Sequence, residues 1–156
     1  DNGFMFSPLQ IGRDKSAVAY KGRAWNVLTL PDVVIWTFPG QHHEIKHKNP
    51  TRRGEYGLER YRFDALRAFA LETEQDVLYT IHNHDLAGGR DVKTNDLAHW
   101  FTARIVDLDG QWSGEATLLS WVNGKRKQVP IYFWPQEAWT PLACYWASVI
   151  EKDREE

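Results

Sequence analysis

The sequence predicts an α/β fold with a central mixed sheet, and three observations lead to it. Runs of β-branched and aromatic residues at 33–38 and 76–81 read as buried strands. Between them, Leu58, Tyr61, Ala65, Leu66 and Phe69 recur at helical spacing among charged residues. From residue 100 onward the pattern is mostly strand-like, with a hairpin signal in its middle. At 156 residues, 42% of them hydrophobic and 26% charged, the chain suits one globular domain over 1–156. No apolar run approaches the ~20 residues that cross a bilayer, so no membrane partner is expected. A single cysteine, Cys144, makes neither an internal disulfide nor a Cys-rich zinc scaffold, and a reducing, cytoplasmic setting follows.

Taken in order, residues 1–24 carry no convincing period. Residues 25–30 and 33–38 read as strands, Pro39-Gly40 as a turn, and 42–48 as a return strand stopped by Asn49-Pro50. A loop over 51–56 leads into the helix, read from Leu58 to Phe69 within 56–74. The strand at 76–81 ends in His82-Asn83-His84 and a Gly88-Gly89 loop. Strands are expected at 100–108, 115–122 and 129–134, with Asn123-Gly124 turning the last pair. Cys144 sits in a C-terminal helix and is read as a core residue, while 151–156 read as a solvated acidic end. The core spans about 25–82 and a β-rich extension about 98–150.

Chemistry concentrates at Asp32 and at Glu44-Ile45-Lys46. Alternation along a strand projects Glu44 and Lys46 from one face and Ile45 from the other. Two carboxylates and a lysine on neighbouring strands suit magnesium-dependent phosphodiester cleavage, because Mg²⁺ prefers oxygen ligands and keeps waters for the reaction. The metal ligands would be Asp32, Glu44 and the backbone carbonyl of Ile45, with Lys46 orienting the attacking water. Register decides whether they meet. A two-residue Pro39-Gly40 turn pairs Ile35 with Glu44 and leaves Asp32 about 10 Å away on the wrong face, whereas a wider connection around 37–41 unites them.

These residues, followed by the helix and the strand at 76–81, resemble the PD-(D/E)XK nuclease superfamily, and the phrase Tyr56-Gly-Leu-Glu-Arg-Tyr-Arg-Phe-Asp64 is similar to it too. The resemblance covers roughly residues 25–81. It implies a restriction-endonuclease-like mixed β-sheet core flanked by helices, a deoxyribonuclease activity, catalytic Asp32, Glu44 and Lys46, and Mg²⁺ as cofactor with Mn²⁺ as substitute. It also implies a homodimer, since two strands are often cut by two copies; a surplus of aromatics near the C-terminus adds to that expectation.

Charge supports a DNA partner. Between Glu44 and Arg67, Lys46, Lys48, Arg52, Arg53, Arg60, Arg62 and Arg67 outnumber Glu44, Glu55, Glu59 and Asp64 by seven to four. Lys48, Arg52, Arg53 and Arg60 are the candidate backbone contacts, with His82 and His84 lining the cleft. His43 and His47 point with Ile45, away from Glu44, into structural roles. Two alternatives remain open. A non-catalytic nucleic-acid-binding or assembly protein would keep the same fold. A zinc metallopeptidase of the JAB/MPN kind would use His82, His84 and Asp96, or Asp91, although Lys93-Thr94-Asn95-Asp96 departs from that family's Ser-x-x-Asp. Trp134, Trp139, Tyr145 and Trp146 are read as packing residues rather than as a base-stacking platform.

Overall fold

The computed structural model describes residues 5–7, 17–20, 23–26, 33–36, 41–89, 96–122 and 124–155, the first four segments as backbone. Asp32, Pro39-Gly40, Asp91 and Asn123 lie outside the described residues. Eleven strands and four α-helices follow one another among the described residues. They are β1 (Met5–Ser7), β2 (Ala17–Tyr20), β3 (Arg23–Asn26), β4 (Val33–Trp36), β5 (Gln41–Lys48), β6 (Glu55–Glu59) and α1 (Arg60–Thr73). Next come β7 (Asp76–Asn83), α2 (His84–Ala87), β8 (Trp100–Arg104) and α3 (Ile105–Leu108). The chain finishes with β9 (Gly114–Val122), β10 (Lys125–Pro135), β11 (Thr140–Pro141) and α4 (Leu142–Glu155).

A six-stranded sheet runs β1-β4-β5-β7-β8-β11, a three-stranded one β6-β10-β9, and β2 pairs with β3. The large sheet is mixed: β5 and β7 are parallel, and its other neighbours are antiparallel. Parallel neighbours need a long crossover, and α1 supplies it. This mixed α/β arrangement, with helices flanking the sheet and a β-rich C-terminal half, is the predicted class. The β4–β5 ladder closes at Ile35↔Gln41 and reaches Val33↔His43. A two-residue Pro39-Gly40 turn is excluded by that register, which belongs to the wider connection.

Burial explains why α1 lies where it does. Phe63, Leu66, Phe69 and Ala70 are buried on one stripe and meet Val77, Tyr79 and Ile81 of β7 and Tyr56, Leu58, Tyr132 and Trp134 of the small sheet. The helix is thereby held between two sheets, and this core also absorbs Trp134 and Trp139 of the C-terminal aromatics. Trp134 and Trp139 are buried, and Trp112 stacks on Tyr132 with centroids 4.2 Å apart.

Four expectations need correction. Residues 55–59 form a strand paired with β10, not the loop and first helical turn, because Tyr56 and Leu58 bury more surface against β10 than a free helix end offers. Tyr61 is 47% exposed, since the buried stripe passes through Arg62 and Phe63 instead. The strand expected over 100–108 stops at Arg104, where a helical turn lets Ile105 and Leu108 reach the core. Cys144 is exposed, because α4 buries Leu142 and turns Cys144 outward.

Candidate functional site

Glu44 lies on the central strand β5 and faces α1, as His42 does through its edge contact with Phe69. Its side chain is completely buried, and three cationic contacts hold its charge there. Arg62 Nε donates to Oε1 at 3.0 Å and Arg62 Nη2 to Oε2 at 2.5 Å, a two-pronged pair. Lys46 Nζ stands 3.0 Å from Oε1, so Glu44 and Lys46 share a face as the alternation predicts. Arg62 reaches this carboxylate because it lies in the first turn of α1 and falls on the buried stripe. Sequence analysis assigned it only to the surface charge; its position beside Phe63 on the apolar stripe was the available signal.

Lys48 is turned inward on the same face. Its ammonium group donates to the carbonyl of Gly57 and lies 5.7 Å from the centre of the Tyr79 ring. Burial, aided by Lys46 and opposed by Glu59 and Glu44, pushes its pKa down to about 8. Glu59, at the β6–α1 junction, is a second carboxylate that sequence analysis did not single out. Burial pushes it up, but its own backbone N–H, the Ser120 hydroxyl at 2.8 Å, Lys48 and Lys46 outweigh that and hold it below the usual range.

A carboxylate oxygen is the donor that a hard ion such as Mg²⁺ takes, and both oxygens of Glu44 are engaged by Arg62 and Lys46. Asp32 itself lies outside the described residues, one step beyond the Val33↔His43 pair.

The basic residues divide by location. Arg52 and Arg53 are exposed at the turn between β5 and β6, bordering a cleft of about 410 Å³ with Ser113, Glu115 and Phe133. Arg60 is exposed, 3.5 Å from Glu115, and Arg67 pairs with Asp109 at 3.0 Å.

The opposite face of β5 carries the histidines. A chain of hydroxyls and imidazole crosses the sheet there. His43 Nδ1 is 2.6 Å from Thr80 Oγ1, which is 2.9 Å from Thr102 Oγ1. His43 Nε2 donates to Gln41 Oε1 at 3.3 Å, which leaves Nδ1 to accept from Thr80. Burial, with His42 nearby, pushes His43 down to about 4, so its ring is neutral, as the structural role expected of it requires.

Farther along that face, His47 Nδ1 and His82 Nδ1 are 3.0 Å apart, and the His84 ring stacks on His47 with centroids 5.6 Å apart. His82 and His84 are buried, at 2% and 7% exposure, and lie behind the sheet from Glu44. They lie with His47, on the face of the sheet away from Glu44. Burial first, then His47, His84 and His99, lowers the pKa of His82. The zinc site expected from His82, His84 and Asp96 is not assembled either. Asp96 instead caps the turn at Leu97–His99, accepting from Ala98 N at 3.0 Å, and His47 takes the third position beside His82 and His84.

No family model and no curated protein matches the chain. Among solved structures, the chain is similar to that of Hjc from Archaeoglobus fulgidus, a Holliday junction resolvase from an archaeal hyperthermophile. The identity is 12%, the TM-score 0.43, and the match covers 88% of this chain and 80% of the other. That likeness is too distant to assign a family. Among the described residues, no helix is long and apolar enough to cross a membrane.

Proposed function

We propose that the protein is a Mg²⁺-dependent nuclease that hydrolyses DNA phosphodiester bonds at Glu44 and Lys46, with Mn²⁺ as a working substitute. The observation that carries this is Glu44, a fully buried carboxylate with Lys46 Nζ 3.0 Å away on the central strand. Asp32, which precedes Glu44 in the sequence with eleven residues between them, is its proposed partner carboxylate. Ile45 would add its backbone carbonyl. A Mg²⁺ ion held there supplies charge stabilisation to the phosphate and acidifies a bound water. Lys46 orients that water and offsets charge developing on the phosphate oxygens. Arg62 offsets the buried charge of Glu44 and holds its carboxylate in place. Arg52, Arg53 and Arg60, exposed on the surface, contact the DNA backbone. The active form is a homodimer.

A specific observation favours a second role. Both oxygens of Glu44 already accept from cations, and a permanently paired carboxylate belongs to a non-catalytic nucleic-acid-binding protein of the same fold.

Incubation of linear, circular, single-stranded and branched DNA with the protein and Mg²⁺ or Mn²⁺ separates the two. A nuclease cuts at least one of these. Its Glu44→Gln form neither binds the ion tightly nor cuts, and its Lys46→Ala form cuts slower by roughly 10²-fold or more. Cleavage at the unmodified rate by Lys46→Ala sinks the mechanism. DNA binding without cleavage in either metal establishes the non-catalytic role.

A further inference from the structure

We infer that His47, His82 and His84 form a transition-metal site of the Zn²⁺ class, behind the sheet from Glu44 and separate from any Mg²⁺ chemistry. Among the described residues, one nitrogen from each ring lies within 4.8 Å of the others. Tetrahedral zinc with bonds of ~2.0–2.1 Å sets neighbouring ligand nitrogens about 3.3 Å apart. The His47 and His82 Nδ1 atoms, 3.0 Å apart, are already close to that separation. The arrangement follows from the fold. β5 and β7 run parallel with His47 directly opposite His82, so the two rings leave the same face side by side. His84 is two residues beyond, and Asn83 fixes the turn that presents it. The Asn83 side chain accepts from Leu86 N at 3.1 Å and donates to Tyr56 Oη at 2.7 Å.

Unmet hydrogen-bonding capacity points to a ligand. His84 Nε2 is buried and has no hydrogen-bond partner among the described residues; the His82 nitrogen without one is Nε2, across the ring from the Nδ1 that faces His47. A buried polar atom without a partner is costly, and a bound ion is one of the things that explain it. Imidazole nitrogens suit Zn²⁺ and its neighbours rather than Mg²⁺ or Ca²⁺, which select oxygen. His47 is exposed and gives the ion a way in, while Trp100 covers His82 with ring centroids 4.7 Å apart. Three protein ligands leave the fourth tetrahedral position to a water or a further ligand.

Titration of the chelator-stripped full chain with Co²⁺ tests this, because four-coordinate Co²⁺ absorbs visibly where the hydrated ion scarcely does. One Co²⁺ per chain is expected, displaced by one Zn²⁺ and untouched by millimolar Mg²⁺. His47→Ala, at an exposed position whose folding is checked by circular dichroism, should weaken binding by ~10²-fold or more, since even an outer-shell partner is worth 10–100-fold. His82→Ala and His84→Ala should do the same, and Glu44→Gln should leave the spectrum unchanged. A folded wild-type chain that gives no four-coordinate spectrum overturns the inference. So does a spectrum that survives His47→Ala or vanishes in Glu44→Gln.

Discussion

At the scale of single residues, the Glu44–Arg62 pair dominates the energetics. A carboxylate with no exposed surface survives only because Arg62 grips both of its oxygens and Lys46 adds a third contact. Replacing Arg62 by alanine removes the partner and leaves the charge, so the folded state should lose about 3–5 kcal/mol. The double change Glu44→Gln with Arg62→Met removes both charges and should cost distinctly less. Urea melts at pH 7 would check this. Equal losses in the two proteins would mean that the pair contributes little beyond its packing. None of this could be read from spacing alone. Residues 44 and 62 lie on different elements, and only the docking of α1 against β5 joins them. Lys46, by contrast, was legible, because strand alternation alone puts it on the face of Glu44.

At the scale of elements, β6 joins the two halves of the molecule and is the element sequence analysis misread. Its five residues fill the gap between the catalytic-type strand and α1, and they continue the helix's apolar spacing. Pairing with β10, more than seventy positions away in the chain, decides their conformation. Gly57 shows how tight that pairing is. A Cβ there would lie 2.8 Å from Phe133 Cε1 and 3.1 Å from Ile131 Cγ2. The same residue's carbonyl accepts from Lys48 and, at 2.8 Å, from the Tyr79 hydroxyl. Gly57→Ala should therefore destabilise by roughly 1–3 kcal/mol, the usual cost of overpacking, and loosen Lys48. A thermal melt within a degree of wild type would contradict the close approach. Elements with local signals fared better. β4 and β7 announce themselves by composition, and the β9–β10 hairpin by its glycine, since Gly124 has φ 74°.

At the scale of the whole molecule, the aromatics expected to form a subunit interface divide: Trp134 and Trp139 are spent inside, and Trp121 is exposed. β9 is the edge strand of the three-stranded sheet and carries Leu118, Leu119 and Trp121 at 45%, 52% and 67% exposure. An open edge with apolar side chains invites a second copy. The proposed homodimer should sediment at about twice the 18.2 kDa chain mass at micromolar concentration, and Trp121→Lys should shift it towards monomer. A monomer mass throughout, with Trp121 intact, would remove dimerisation from the account.

The parity of β5 has a consequence for how this chain tolerates change. Glu44, Lys46 and Lys48 occupy even positions and His43 and His47 odd ones, so a single strand serves two compartments that never meet. Substitutions there touch one compartment at a time. A single-residue insertion between Ile45 and Lys46 would instead swap the addresses of all that follow, sending the lysines to the histidine side and His47 towards the acidic side. Length, more than identity, is what this strand must preserve, and one added alanine should harm both faces more than any conservative exchange within it.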